Sequence, residues 1–351
     1  MGSVQKVNVT EPVRAFHLRF GSHDLVDSFK KFIEKVLVPK GINHLVLECN
    51  TSFVFESHPE VTGGTLTKQD AREIAAVCKN KGIRLIPLFQ CLGHQGWGGA
   101  PNSILKAHPE FDETPHVPFD AKWPDIFCRS WCPEHPDVNQ FIFELMDELI
   151  DAFRADAFHV GMDEVFVLAD DQCPRCQGKD RADLFAKVVN DLHKHLVKER
   201  GVEMFMWGDR LNDSAKLGYD QWEGDTFGTH KAIDLIPKDI VMMDWHYEKL
   251  DEYPSIRNFI EKGFTVIPAC WFKTNAAIDF FNESKRQAQE QGSEDKMPGM
   301  VVTSWNSWDK ESFERFMTMS PNSFECDEKL EELDELYRTM SVIVEKLNSR
   351  F

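Results

Sequence analysis

Short apolar runs rich in β-branched and aromatic residues recur along the chain at positions 13–20, 44–50, 83–89, 157–163, 204–208, 240–246, 265–271 and 300–305. Between them lie stretches whose apolar positions return at helical spacing, at 25–38, 68–81, 137–154, 182–200, 255–261 and 276–291. Thr67, with Asp70 three residues on, predicts a capping-box start for the second helix. Strands that read as continuous apolar runs are buried on both faces, and their alternation with helices predicts a parallel sheet. Eight such units in about 300 residues suit a closed barrel better than an open doubly wound sheet. The expected fold is α/β, a (β/α)8 TIM barrel forming a single domain over residues 1–351, with a charged C-terminal helix near 327–348. The longest interruption, residues 93–136, is rich in Pro, His, Trp and Gly and follows the third strand, where a barrel carries a catalytic-face loop.

Composition narrows the partners. The chain has 351 residues, within the range of a one-domain barrel. Its 40 Lys and Arg against 58 Asp and Glu leave a net charge of −18, which repels a phosphate backbone or an anionic lipid surface. No nucleic-acid or membrane partner is expected. No apolar run approaches the roughly 20 residues of a membrane helix. The opening residues, Met1 to Lys6, lack the apolar core of a signal peptide. The compartment stays open between a cytoplasmic location and an extracytoplasmic one with a leader removed. Nine cysteines, an odd number irregularly spaced, do not form a disulfide framework.

The fourth strand ends in Asp163 and Glu164. Charge is expensive inside a barrel, so two carboxylates at the C-terminal end of an apolar strand ask for a function, unless they merely begin the next loop. Strand neighbours point to opposite sides, so the two carboxyls are expected to address different atoms of a ligand. An acid working on a leaving oxygen and an anion steadying a second group fit that arrangement. Other polar groups stand at other strand ends: Glu48 and Asn50 on the second, His94 after the third, Asp209 after the fifth. Trp207, Trp245, Trp271 and Trp305 close strands five to eight. Any one of them reads as core, but four at corresponding ends predict an aromatic cage around a ring with apolar faces, and a sugar is the natural candidate.

His159-Val160-Gly161-Met162-Asp163-Glu164 closely resembles the His-x-Gly-Gly-Asp-Glu motif of glycoside hydrolase family 20, the β-N-acetylhexosaminidases. Residues 82–87, running on to Gly93-His94, resemble that family's third strand and its Pro-Gly-His end. The resemblance covers nearly the whole barrel. It is closest to the hexosaminidase D branch through Ile86-Pro87-Leu88, Asp163-Glu164-Val165-Phe166, Phe272-Lys273 and Thr303-Ser304-Trp305. It implies an exo-acting enzyme that releases a terminal β-linked GlcNAc or GalNAc from an oligosaccharide or glycoconjugate, with retention and without a cofactor. The sugar's own 2-acetamido oxygen attacks the anomeric carbon to form an oxazolinium ion, an exception to the two-carboxylate scheme. Glu164 is then the acid and later the base; Asp163 orients the acetamido group and stabilises its developing charge. His94 and His159 support the pair, although His159 also reads as a satisfied buried histidine. Trp207, Trp245 and Trp305 wall the pocket.

Several positions depart from the family pattern. Where members carry an Arg after the first strand to hold sugar hydroxyls, counting from Arg14 gives Ser22 with His23 beside it. Phe272 follows the seventh-strand Trp in place of a hydrogen-bonding Tyr, Asn306-Ser307-Trp308 replaces a Glu after Trp305, and Asn50-Thr51 replaces a second-strand Asp. These changes alter recognition while keeping the acid and its Asp. Two rival readings keep Glu164 as acid on a non-acetamido glycoside with Asp163 as carboxylate partner, or keep the cage without turnover. Cys173 and Cys176 form half a zinc-type site, with Cys128 and Cys132 able in principle to supply the rest. The spacing favours a redox pair or plain loop thiols, and no metal is assigned. His193 and His195 read as part of a solvated helix face, and 328–335 as a charged helical surface. A homodimer through outer helices is a further possibility of this fold.

Overall fold

The computed structural model describes residues 11–319 and 328–349. Eight parallel strands close into a barrel: β1 Val13–Arg19, β2 His44–Glu48, β3 Arg84–Cys91, β4 Ala157–Gly161, β5 Glu203–Trp207, β6 Val241–Trp245, β7 Thr265–Cys270 and β8 Gly299–Ser304. Each strand pairs with the next in sequence, and β8 returns to β1 in parallel register from Val13 opposite Gly299 to Leu18 opposite Ser304. The eight expected strands are all present, each within a few residues of its expected ends.

Around them lie α1 Val26–Phe32, α2 Lys68–Asn80, α3 Val138–Phe153, α4 Arg181–His193, α5 Pro254–Glu261, α6 Thr274–Glu290, α7 Lys310–Thr318 and α8 Glu328–Asn348. The box at the start of α2 forms in both directions, Thr67 accepting from the Asp70 amide and Asp70 from the Thr67 amide. The sequence pattern did not anticipate α7, whose buried face is only Ser312, Phe313 and Phe316. Between β5 and β6 the chain uses only short helical turns, which no long periodic run could signal. Position 327, the expected start of the last helix, lies outside the described residues. That helix is more than a charged surface: Leu333, Leu336, Met340, Ile343, Val344 and Leu347 bury one face of it, and it packs on α6. His193 and His195 also differ from expectation. Both are buried, held 2.8 Å from Asp239 and 2.8 Å from Asp147 respectively.

Side-chain alternation divides the strands between two cores. Leu45, Leu47, Leu85, Phe89, Phe158, Val160, Met204, Met206 and Met242 face the helices. Val46, Ile86, Leu88, Ala157, Phe205, Trp207, Val241, Met243, Ile267, Ala269 and Val301 fill the barrel. Following the inward parity to the C-terminal ends brings the chain to Arg19, Glu48, Gln90, Asp163, Trp245, Trp271 and Trp305. These seven residues line one cavity of about 860 Å³ at that end of the barrel.

Candidate active site

The strand β4 stops at Gly161, where the backbone turns left-handed (φ 67°). Any other residue would be strained by that φ, and its Cβ would stand 3.0 Å from Gln90 Cα and closer still to the Gln90 side chain, so the position favours glycine. Met162 (φ 76°) and Glu164 (φ 50°) follow in the same sparsely populated region. Asn50, Leu92 and His94 also have positive φ, which gathers strained non-glycine residues around one end of the barrel. This turn corrects the expectation that the carboxyls of Asp163 and Glu164 diverge as strand neighbours. The strand has ended before them, and both converge on His94, whose Nε2 lies 3.3 Å from Asp163 Oδ2 and 3.3 Å from Glu164 Oε2.

Burial disfavours a charged His94 ring, but the Asp163 carboxylate overrides it and holds the imidazole well above its ordinary value of 6.5. Burial works against Asp163 as well, and the facing His94 charge keeps its carboxyl below the usual range. Asp163 Oδ1 is buried and has no hydrogen-bond partner among the described residues, leaving an acceptor available to a ligand. Glu164 is held from behind: its amide donates to Asp209 Oδ2 at 2.9 Å, and the same oxygen accepts from Arg210 Nε at 2.7 Å. Burial pushes the Asp209 carboxyl up to about 6, with Arg210 opposing. The ligand atoms of His94, Asp163 and Glu164 lie close enough together to hold a cation.

The remaining expected site residues fall into two groups. Glu48, Asn50, Trp245, Trp271 and Trp305 line the cavity together with His94, Asp163 and Glu164. Asn50 donates to Glu48 Oε1 at 2.7 Å and accepts from the Gln90 amide at 2.8 Å, tying the ends of β2 and β3. Trp207, His159 and Asp209 stand behind the wall. Trp207 is fully buried in the barrel core, with its ring against His17, His159 and Trp305, so it supports the cage without forming its surface. His159 accepts from the Gly161 amide at 3.0 Å, and burial, aided by nearby His17, lowers it to about 3. It is a neutral ring that fixes the glycine turn.

The chain matches the glycosyl hydrolase family 20 catalytic domain over residues 37–323. It belongs to that family. A β-hexosaminidase of Emericella nidulans is 26% identical over 232 residues, 60% of this chain and 34% of that protein. One from Vibrio furnissii is 27% identical over 225 residues, 63% of this chain and 32% of that protein. The chain thus spans about a third of the length of these relatives. The chitobiase of Flavobacterium johnsoniae shares the fold, with a TM-score of 0.64 over 96% of this chain and 52% of that one at 17% identity.

Within this family 20 barrel, several cavity residues escaped the sequence reading, Trp97 and Trp222 among them, and two polar ones bear on the chemistry. Arg19, the last inward position of β1, lines the cavity and donates to the Trp305 carbonyl, so a guanidinium does stand at the end of the first strand, three residues before Ser22. Tyr247, two residues beyond Trp245, is the second. Its hydroxyl accepts from Trp305 Nε1 at 2.9 Å, and because an indole N–H only donates, the phenolic proton can go to a ligand or to the Thr303 hydroxyl, which lies within hydrogen-bond reach. Burial raises Tyr247 well above its usual value, which keeps that proton in place. Period-two parity carried beyond the last apolar residue of β1 and β6 would have found both.

Proposed function

We propose that this chain is an exo-acting, retaining β-N-acetylhexosaminidase using substrate assistance, with a terminal β-linked GlcNAc or GalNAc as substrate and no cofactor. The observation that carries the reading is Asp163: one carboxylate oxygen faces His94, and the other is a buried acceptor without a protein partner. An acetamido N–H is the donor that completes it. Tyr247 supplies the complementary hydroxyl for the acetamido carbonyl, doing from β6 what Phe272 cannot do after β7.

In this arrangement the acetamido oxygen attacks the anomeric carbon while Glu164 protonates the departing glycosidic oxygen. Asp163 accepts the acetamido N–H and stabilises the charge that grows on nitrogen as the oxazolinium ring closes. Glu164 then takes a proton from the water that opens the ring, which restores its acid form. The carboxyls of Asp163 and Glu164 lie beside one imidazole, and in this reading Asp163 serves the acetamido group and not the anomeric carbon. Trp245, Trp271 and Trp305 give the ring and acetyl methyl apolar walls. Arg19, Glu48 and Asn50 are the polar groups for sugar hydroxyls. The departures at Phe272 and Ser307, shared in part with the hexosaminidase D branch, change how the sugar is held and leave the acid and its Asp in place.

The test compares initial rates on aryl β-N-acetylglucosaminide, β-N-acetylgalactosaminide and β-glucoside. The expected result is turnover of an acetamido substrate alone. Equal turnover of the glucoside would overturn substrate assistance, and binding of an acetamido sugar without turnover would make this a sugar-binding barrel.

A further inference from the structure

Behind the catalytic turn, four buried side chains meet: Glu113 and Cys132 from the loop after β3, and Cys173 and Cys176 from the loop after β4. One ligand atom from each lies within 4.8 Å of all the others. Cys132 Sγ is 3.2 Å from Cys176 Sγ and 3.5 Å from Cys173 Sγ. A zinc ion with bonds of about 2.3 Å to sulfur sets tetrahedral thiolates about 3.8 Å apart, so little movement is needed to reach that geometry. Of the two cysteines able in principle to complete the Cys-x-x-Cys, only Cys132 joins it: Cys128 points to the Glu164 carbonyl at 3.8 Å, and a carboxylate takes the fourth place.

Two further observations point to a cation. Glu113 is fully buried; its Oε1 accepts from the Asp170 amide at 3.1 Å, but Oε2 has no hydrogen-bond partner among the described residues. Leaving a buried carboxylate oxygen unpaired is costly. The spacing is also telling. Two residues between Cys173 and Cys176, closed by a bond from the Gln177 amide to the Cys173 carbonyl at 3.1 Å, form a tight turn that offers both sulfurs to one point.

We propose that Glu113, Cys132, Cys173 and Cys176 form a closed, four-coordinate structural zinc site that staples the loops after β3 and β4. Zinc is favoured because the donors are thiolates plus one carboxylate with four protein ligands, the pattern of structural rather than catalytic sites. Binding releases the remaining thiol protons to solvent, and no redox change occurs. The staple holds residues 111–113 against 130–132, where Cys132 donates to the Phe111 carbonyl and Glu113 to the Ser130 carbonyl. It thereby joins the segment carrying Cys128, which contacts Glu164, to the loop that follows Glu164. The inference does not depend on the substrate assigned above.

The test is native mass spectrometry and elemental analysis of the full chain expressed with zinc available, alongside counting of accessible thiols before and after removal of metal by a strong chelator. One zinc per chain is expected, with the three thiols protected until the chelator acts and a lower melting temperature afterwards. Cys132→Ser with Cys176→Ser should lose the zinc, whereas Cys78→Ser, a buried cysteine on α2, should keep it. Cobalt(II) in place of zinc should give the visible bands and thiolate charge-transfer absorption of a tetrahedral thiolate site. Metal-free protein with a mass two hydrogens lower makes this a disulfide and overturns the proposal. So does metal-free protein with three open thiols, or zinc retained in the double variant, which would place it elsewhere, at His94, Asp163 and Glu164. The wild-type stoichiometry decides the matter even if the double variant does not fold.

Discussion

Two clusters of buried acidic groups occupy the same pair of loops, and they balance their charge in different ways. At the catalytic turn, Asp163 and Glu164 share the imidazole of His94, a cation the chain itself supplies. In the cluster of Glu113, Cys132, Cys173 and Cys176 no Lys, Arg or His appears among the four side chains. The first cluster borders an open cavity and leaves one carboxylate oxygen free for a substrate; the second is closed on all sides by its own donors. The difference teaches what each can do. A site that carries its own counter-ion can trade protons with a ligand, whereas one that lacks it must import a cation and keep it.

That contrast can be broken from the catalytic side first. Glu164→Gln removes the proton donor and should lower kcat/KM on an aryl acetamido substrate by about 10²–10⁴-fold, without altering the zinc content. Loss of both would mean that the two clusters are one structural unit. Asp163→Asn should cost about 10²–10³-fold, mostly in kcat, because the charge it stabilises exists only as the ring closes. A change confined to KM would show that Asp163 only binds. Tyr247→Phe sharpens the picture further, with an expected loss of about 10-fold on acetamido substrates and none in binding a sugar that lacks the group.

The smallest effect is on stability. His94 is raised above its ordinary 6.5, so its contribution is complete below that value and is lost as pH rises through its folded value. Asp163 is lowered below its ordinary 3.8, so its contribution is complete above that value and is lost as pH falls through its folded value. The stability difference between the wild type and His94→Gln, read by denaturant titration, should therefore be greatest between pH 3.8 and 6.5 and shrink on both sides. A difference that is flat with pH would show that His94 is not the counter-ion.

Much of this was legible in the residues themselves. Eight apolar runs alternating with amphipathic stretches determined a parallel barrel, because a strand covered by helices has no polar face to show. Asp163, Glu164 and the strand-end tryptophans were conspicuous because charge and indoles at the ends of apolar strands have few structural reasons to be there. Local pattern also set the Thr67–Asp70 box, whose partners are near in sequence.

What only the tertiary structure decided depends on atoms brought together from distant positions. The left-handed turn after β4 aims both carboxyls at His94, 69 and 70 residues earlier in the chain, where strand alternation alone predicts divergence. Trp207 retreats into the core while Trp245 and Trp305 stay at the surface of the cage, a difference set by how far each strand rises in the barrel. Arg19 and Tyr247 enter the cavity because inward parity continues past the apolar residues that mark a strand. Glu113 joins three cysteines across two loops by packing, which no spacing encodes. The sequence determined the barrel and the reacting carboxylates through local periodicity and the cost of burying charge; convergence across loops came only from the folded chain, because it is a property of distance.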